Sequence, residues 1–168
     1  MATTTPAGTD ASPPALAFST DNCQVERSLA VFGDRQSMVV IREIFNGVRR
    51  FDDMQKHSGV NRQVLSTRLA HLVDEGILRK VPYQPEGARL RHEYRLTQKG
   101  LELYPILTAL SDWGTRYVAD ADGPAVEMAH RGCGSLVHAV LVCDEGHQLN
   151  DFREVAPRPG SGAVLVES

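Results

Sequence analysis

The chain has 168 residues, 42% of them hydrophobic, and a net charge of −3, enough for one ordinary domain with a small appendage. No apolar run reaches the roughly 18 residues of a membrane span, the opening MATTTPAGTDASPPALAF has no basic start or continuous apolar stretch of a secretory signal, and three widely spaced cysteines make no disulfide framework; a cytoplasmic protein without a membrane partner is expected. The acidic total hides a basic middle: residues 49–99 carry 11 Lys/Arg against 6 Asp/Glu, whereas 1–48 carry 3 against 5 and 100–168 carry 4 against 10, so a polyanionic partner is favoured by the distribution although the sum argues against it.

Residues 1–20, rich in Thr, Pro, Ala and Gly without an apolar period, read as a disordered arm. Asn22 can cap a first helix carrying Val25, Leu29 and Phe32. A second runs from about Arg35, with Met38, Ile41, Ile44 and Phe45 on one face, to Asn46-Gly47. "RRF" suits a brief strand, and Asp52 begins a short third helix ended by Ser58-Gly59. Asn61 is placed to cap the fourth, whose Leu65, Leu69 and Leu72 recur at four and three residues, with Gly76 closing it. "ILRKVPY" and "LRHEYRL" are strand formers around the turn-like "QPEGAR" and read as a hairpin. Thr97 caps a last helix with an apolar stripe through Leu103, Ile106, Leu107, Leu110, Trp113 and Tyr117, in which Pro105 is expected to make a kink or an early bend. The polar "ADADGP" closes a domain over 21–119, leaving 120–168 as a C-terminal extension. The fold class is mainly α with a small β hairpin: a winged helix-turn-helix with a long C-terminal dimerisation helix and a small extension.

On a helical projection of 61–75, Gln63, Thr67, Ala70 and His71 fall opposite the leucines, Ser66 lies on a shoulder, and Arg62 and Arg68 flank the apolar stripe. Small and polar residues at the outward centre let a helix axis approach base edges in a major groove about 12 Å wide, and flanking arginines reach phosphates. A basic hairpin follows, with Arg79 and Lys80 at its base and Arg89, Arg91 and His92 near its tip. A solvated face on an ordinary packed helix is the plainer explanation of the fourth helix alone; the basic hairpin directly after it weighs towards double-stranded DNA. The expected DNA contacts are Arg62, Gln63, Ser66, Thr67, Arg68, His71, Arg89 and Arg91.

"CQVERSLAVFGDRQSMVVIREIFNGVRRFDDM", "VNRQVLSTRLAHLVDEGILRKVPY" and "HEYRLTQKGLELYPILTALSDWG", in that order over about 23–118, resemble the HxlR-type transcriptional regulators, whose architecture is MarR-like. The resemblance implies a homodimer that sets two recognition helices on neighbouring major-groove segments of a palindromic operator. Repression is the expected mode, because occupying a promoter needs no further surface. Gln36 departs from the pattern, the family commonly having Trp there. Cys23 stands where redox-sensing members keep a reactive thiol, and a thiol near a helix start oxidises more readily; a buried, inert cysteine is the competing reading. The apolar stripe is expected to serve core and dimer, or else to line a pocket for a small effector.

In the extension, His130, Cys133, Cys143 and His147 form HxxC and CxxxH knuckles that could enclose a tetrahedral structural zinc, ribbon-like. A degenerate, purely structural tail is the alternative. No phosphate-cradling glycine loop and no nucleophile–base constellation occurs, so no enzyme is expected. The rival function is a winged-helix protein-interaction module without DNA binding.

Overall fold

The computed structural model describes residues 19, 21–87 and 89–164. The arm expected over 1–20 lies outside the described residues but for Ser19. Six helices and two strands make up the body: α1 (Gln24–Phe32), α2 (Arg35–Phe45), α3 (Phe51–Ser58), α4 (Arg62–Asp74), β1 (Leu78–Tyr83), β2 (Arg91–Leu96), α5 (Gln98–Leu101) and α6 (Tyr104–Tyr117). The strands β1 and β2 pair antiparallel from Leu78 opposite Leu96 to Tyr83 opposite Arg91. Arg50 bridges Glu93, and the Tyr94 N–H donates to the Arg49 carbonyl at 2.8 Å, so the expected "RRF" strand is one bridge on the outer edge of the wing. This is the expected winged helix-turn-helix.

The core lies where α2, α3, α4 and the base of the wing meet. Val40, Ile41, Ile44, Met54, Leu65, Leu69, Leu72, Ile77 and Leu78 are its buried members. The three leucines of α4 are wholly buried, and burying a side chain of that size stabilises by roughly 1.5–3 kcal/mol. Asp34 caps α2 by accepting the Ser37 N–H at 3.0 Å. Gly59 ends α3 in the left-handed region at φ +67, which an L side chain rarely adopts. Gln36 is half-buried in the first turn of α2, outside the apolar core.

Pro105 opens a helix instead of kinking one. The helix expected from Thr97 divides at Glu102 and Leu103, and Pro105 sits in the first turn of α6, where its missing N–H costs nothing. Thr97 does cap α5, accepting the Gly100 N–H at 3.1 Å, and its hydroxyl donates to the Gly76 carbonyl at 2.6 Å. Gly100 is required by a close approach: a Cβ there would lie 2.3 Å from the Ile77 carbonyl oxygen.

The chain divides into two compact units, Val25–Ala139 and the described parts of Met1–Gln24 with Val140–Ser168. The expected boundary at 119/120 therefore differs from the observed grouping, because residues up to Ala139 pack with the helical unit. There the Thr108 hydroxyl reaches the Met128 sulfur at 3.4 Å, and Asp112 accepts the Ala139 N–H at 2.8 Å and pairs with His138 at 3.1 Å. In the other unit, β3 (Leu141–Val142) pairs antiparallel with β4 (Gln148–Leu149), and a 3-10 turn follows at Phe152–Glu154. Among the described residues no helix is long and apolar enough to cross a membrane.

Candidate nucleic-acid interface

Asn61 starts α4 by accepting the Gln63 N–H at 2.9 Å. Its leucines then fix the rotation of the helix on the body, since a turn away from them would expose all three. What that rotation presents outward is Arg62, Gln63, Ser66, Thr67 and Ala70, all exposed. Thr67 donates its hydroxyl to the Gln63 carbonyl at 3.1 Å, which leaves its oxygen able to accept. Side chains this small leave the backbone close to whatever the face meets, while Gln63 and Ser66 can each donate and accept.

Two residues expected on that face are drawn inward. Arg68 is half-buried with Nε 3.2 Å from Asp34, and His71 places Nε2 2.9 Å from the Val31 carbonyl. Both tie α4 to the α1–α2 junction, so the structure gives them an anchoring role rather than a free outward one. The physical reason is that the polar shoulders of α4 are not solvent: the chain around Val31 to Asp34 covers them. Burial pushes the Asp34 carboxyl up, but the hydrogen bonds it accepts from Ser37, and then the charge of the Arg68 guanidinium, outweigh this and hold it below its ordinary value.

A further polar tie escaped the sequence reading. Glu43 is completely buried on α2, and its carboxylate accepts from the Arg42 guanidinium and meets His57 Nδ1 on α3. A buried carboxylate is tolerated only when paired, so this contact fixes the angle between α2 and α3. The only signal for it was an acidic residue beside the stripe of "VVIREIF".

The wing carries exposed Arg79, Lys80, Arg89, Leu90, Arg91 and His92. Between wing and helix lies a groove of about 420 Å³ bounded by Arg50, Asp52, Arg62, Tyr83, Arg91 and His92. Arg62 stacks on the Phe51 ring at 4.7 Å, and Arg50 on the Tyr83 ring at 4.6 Å. These contacts pre-shape long side chains that would otherwise lose rotamer freedom on binding.

The apolar side of α6 is largely uncovered: Leu110, Trp113 and Tyr117 are 53%, 58% and 63% exposed, while Val25 and Leu29 of α1 are 67% and 56% exposed. Leu103 and Leu107 pack on the core instead, and Phe45 meets Tyr104 with ring centroids 5.1 Å apart. The expected single stripe is thus divided between an inward and an outward set.

Cys23 is a free, half-buried thiol one residue before α1. The two knuckles fall in different units and are described separately. His130 Nδ1 lies 3.2 Å from Cys133 Sγ, and His147 Nδ1 lies 3.5 Å from Cys143 Sγ. Zinc–sulfur and zinc–nitrogen bonds at a tetrahedral angle separate two ligands by about 3.6 Å, a spacing that the Cys143–His147 pair approaches and that the His130–Cys133 pair falls short of. Among the described residues, no three His, Cys, Asp or Glu side chains gather into a metal cage. Hydrogen bonds from Ser135 first, then His130, bring the exposed Cys133 thiol down to about 7.

A family model described as HxlR-like helix-turn-helix matches residues 31–122. The chain is 37% identical over 138 residues to an uncharacterized HTH-type transcriptional regulator of Mycobacterium bovis, Mb3122, covering 82% of this chain and 86% of that one. It is 26% identical over 98 residues to the uncharacterized HTH-type transcriptional regulator YdeP of Bacillus subtilis, with 58% and 75% covered. The crystal structure of PA1607, a candidate transcription factor, superposes with a TM-score of 0.72 at 33% identity, covering 83% of this chain and 96% of that one. The likeness to Mb3122 is too long to stop at residue 122 and takes in part of the extension.

Proposed function

The chain belongs to the HxlR-like helix-turn-helix family, and on that premise we propose that it is a cytoplasmic, homodimeric repressor that binds a palindromic operator through α4 and the wing. The observation that carries the reading is the outward centre of α4, where Gln63, Ser66, Thr67 and Ala70 stand exposed beside a basic wing. In the proposed complex α4 enters the major groove and Gln63, Ser66 and Thr67 read base edges. Arg62, Arg89 and Arg91 engage phosphates, with Arg89 near the adjacent minor groove. Arg68 and His71 hold the helix at its angle from behind.

Dimerisation is supported by the uncovered apolar faces of α1 and α6, since side chains such as Trp113 and Leu29 left in water forgo their burial energy unless a second copy covers them. A dimer also supplies what an operator demands: two recognition helices about one DNA turn apart, roughly 34–36 Å. Any signal that alters this spacing alters affinity at both half-sites together. Oxidation at Cys23, or a small apolar effector lodged between the subunits, is proposed as that signal. The proposal assigns no catalysis.

Selection of bound sequences from random duplex DNA, run with and without oxidant, tests the reading. A two-fold related motif is expected. Gln63→Ala should relax base preference at one position per half-site while keeping most of the affinity, and Cys23→Ser should remove the oxidant response. Failure to enrich any motif, together with unchanged behaviour on replacing Arg89 or Arg91, would favour a protein-interaction module. Equal oxidant sensitivity in Cys23→Ser would dismiss the thiol.

A further inference from the structure

One carboxylate sits between the two elements that meet DNA in the proposed reading. Asp52, in the first turn of α3, has Oδ1 at 3.2 Å from Arg62 Nη1 of the recognition helix and Oδ2 at 4.0 Å from Arg91 Nη1 of the wing. Arg62 is held further by the Gln55 side-chain oxygen at 3.4 Å. Arg50, His92 and Asp53 border the same groove, and within it the Asp52 carboxylate pairs with a guanidinium from the recognition helix and one from the wing. Two guanidinium groups directed at two oxygens of a single anion is also how a phosphodiester is gripped.

The pairs are of a kind that can be exchanged. Arg62, Asp52 and Arg91 have side chains 67%, 66% and 59% exposed, and exposed ion pairs contribute little to stability. Nothing in the folding of α3 demands them: its N-terminus takes no side-chain cap from Arg50, and Asp52 and Asp53 both favour the positive end of the helix whether or not the arginines are near.

We propose that in the DNA-free protein the Asp52 carboxylate stands in the place of a backbone phosphate between recognition helix and wing, and that duplex DNA binds by exchanging it for that phosphate. This inference rests on the DNA-binding reading and adds a restraint to it. In the free protein the arginines are ordered but already occupied, and in the complex the displaced carboxylate faces an anion of its own sign. Asp52 therefore lowers affinity for every duplex alike, because phosphates carry no sequence information. The factor is the same at every site, so weak, indiscriminate binding drops out of the working concentration range first, and a site that also satisfies the base-reading residues of α4 stays within it.

The test is the affinity of the full chain for a random duplex at fixed salt, measured for the parent, Asp52→Asn, Glu86→Gln and the Asp52→Asn/Arg62→Ala pair. Asp52→Asn should bind about 2- to 30-fold more tightly, the range that freeing two exposed pairs allows. Glu86→Gln, which takes the same charge from the wing tip, should gain much less, and the Asp52→Asn gain should shrink in the Arg62→Ala background. Circular dichroism and melting of each variant confirm folding. Equal or weaker binding by Asp52→Asn overturns the proposal, because it would make Asp52 a support that orients the arginines; so does a Glu86→Gln gain of the same size. Parent protein that binds no duplex at all fails the DNA reading itself, and the proposal with it.

Discussion

Replacing Gly100 by alanine tests how tightly the wing is seated on the helical body. A Cβ at Gly100 would stand 2.3 Å from the Ile77 carbonyl oxygen, 2.9 Å from Leu96 Cδ2 and 3.3 Å from the Ile77 carbonyl carbon. The leucine tip can turn aside, but the carbonyl cannot move freely, since it accepts the Thr97 N–H at 3.0 Å and the Thr97 hydroxyl at 3.2 Å. Forcing a methyl into such a site costs about 1–3 kcal/mol, and loosening one of those hydrogen bonds adds about 0.5–1.5 kcal/mol. Alanine returns about 0.8–1 kcal/mol in helix propensity. The net loss is about 0.5–3.7 kcal/mol, on the order of 2–30 °C in Tm for a unit near 100 residues. Gly114→Ala is the internal comparison: its Cβ would meet nothing closer than Val118 Cγ2 at 3.8 Å, so it should be neutral or stabilising by up to about 1 kcal/mol. Urea and thermal unfolding at matched protein concentration read both. A Gly100→Ala midpoint at or above the parent's, moving together with Gly114→Ala, would refute the close-approach argument.

Because the Asp34 carboxyl titrates below its ordinary value, its contribution is present above the ordinary carboxylate range and is lost as pH falls through the folded-state value. Asp34→Asn keeps a capping oxygen but drops the charge facing Arg68, so it should be less stable than the parent by about 0.5–1 kcal/mol near neutral pH after allowance for solvent screening, the gap closing as pH falls below the ordinary carboxylate range; a gap that does not vary with pH contradicts this. On the proposed dimerisation, the parent should have the mass of a dimer by light scattering at tens of micromolar and Leu110→Glu or Trp113→Glu that of a folded monomer; a monomeric parent, or a variant of unchanged mass, contradicts the assignment of this face. The zinc reading of His130, Cys133, Cys143 and His147 predicts about one equivalent of zinc in protein purified without an affinity tag; under about a tenth of an equivalent retires it.

What was legible in the sequence was whatever short-range chemistry decides. The α4 helix, its Asn61 cap and its buried leucines follow from spacing within 14 residues, and the wing follows from strand formers around a turn. The anchoring of Arg68 by Asp34 and of His71 by the Val31 carbonyl was not legible, because those partners lie 34 and 40 residues away and a helical projection treats every polar shoulder as solvent. The same holds for Asp52, which acquires its arginines only when α3, α4 and the wing are brought together. In "EYRLTQKG" the Thr97 cap is legible because it is a contact three residues long, whereas the need for glycine at 100, pressed against the Ile77 carbonyl, belongs to tertiary packing.

Binding to a random duplex as a function of salt measures the central claim most directly. Affinity should fall linearly in log–log form with a slope of about −0.9 per phosphate engaged, and Arg89→Ala should make the slope shallower by about one for every sequence tried. A flat slope, or one that Arg89→Ala leaves unchanged along with the affinity, would contradict the assignment of α4 and the wing to DNA.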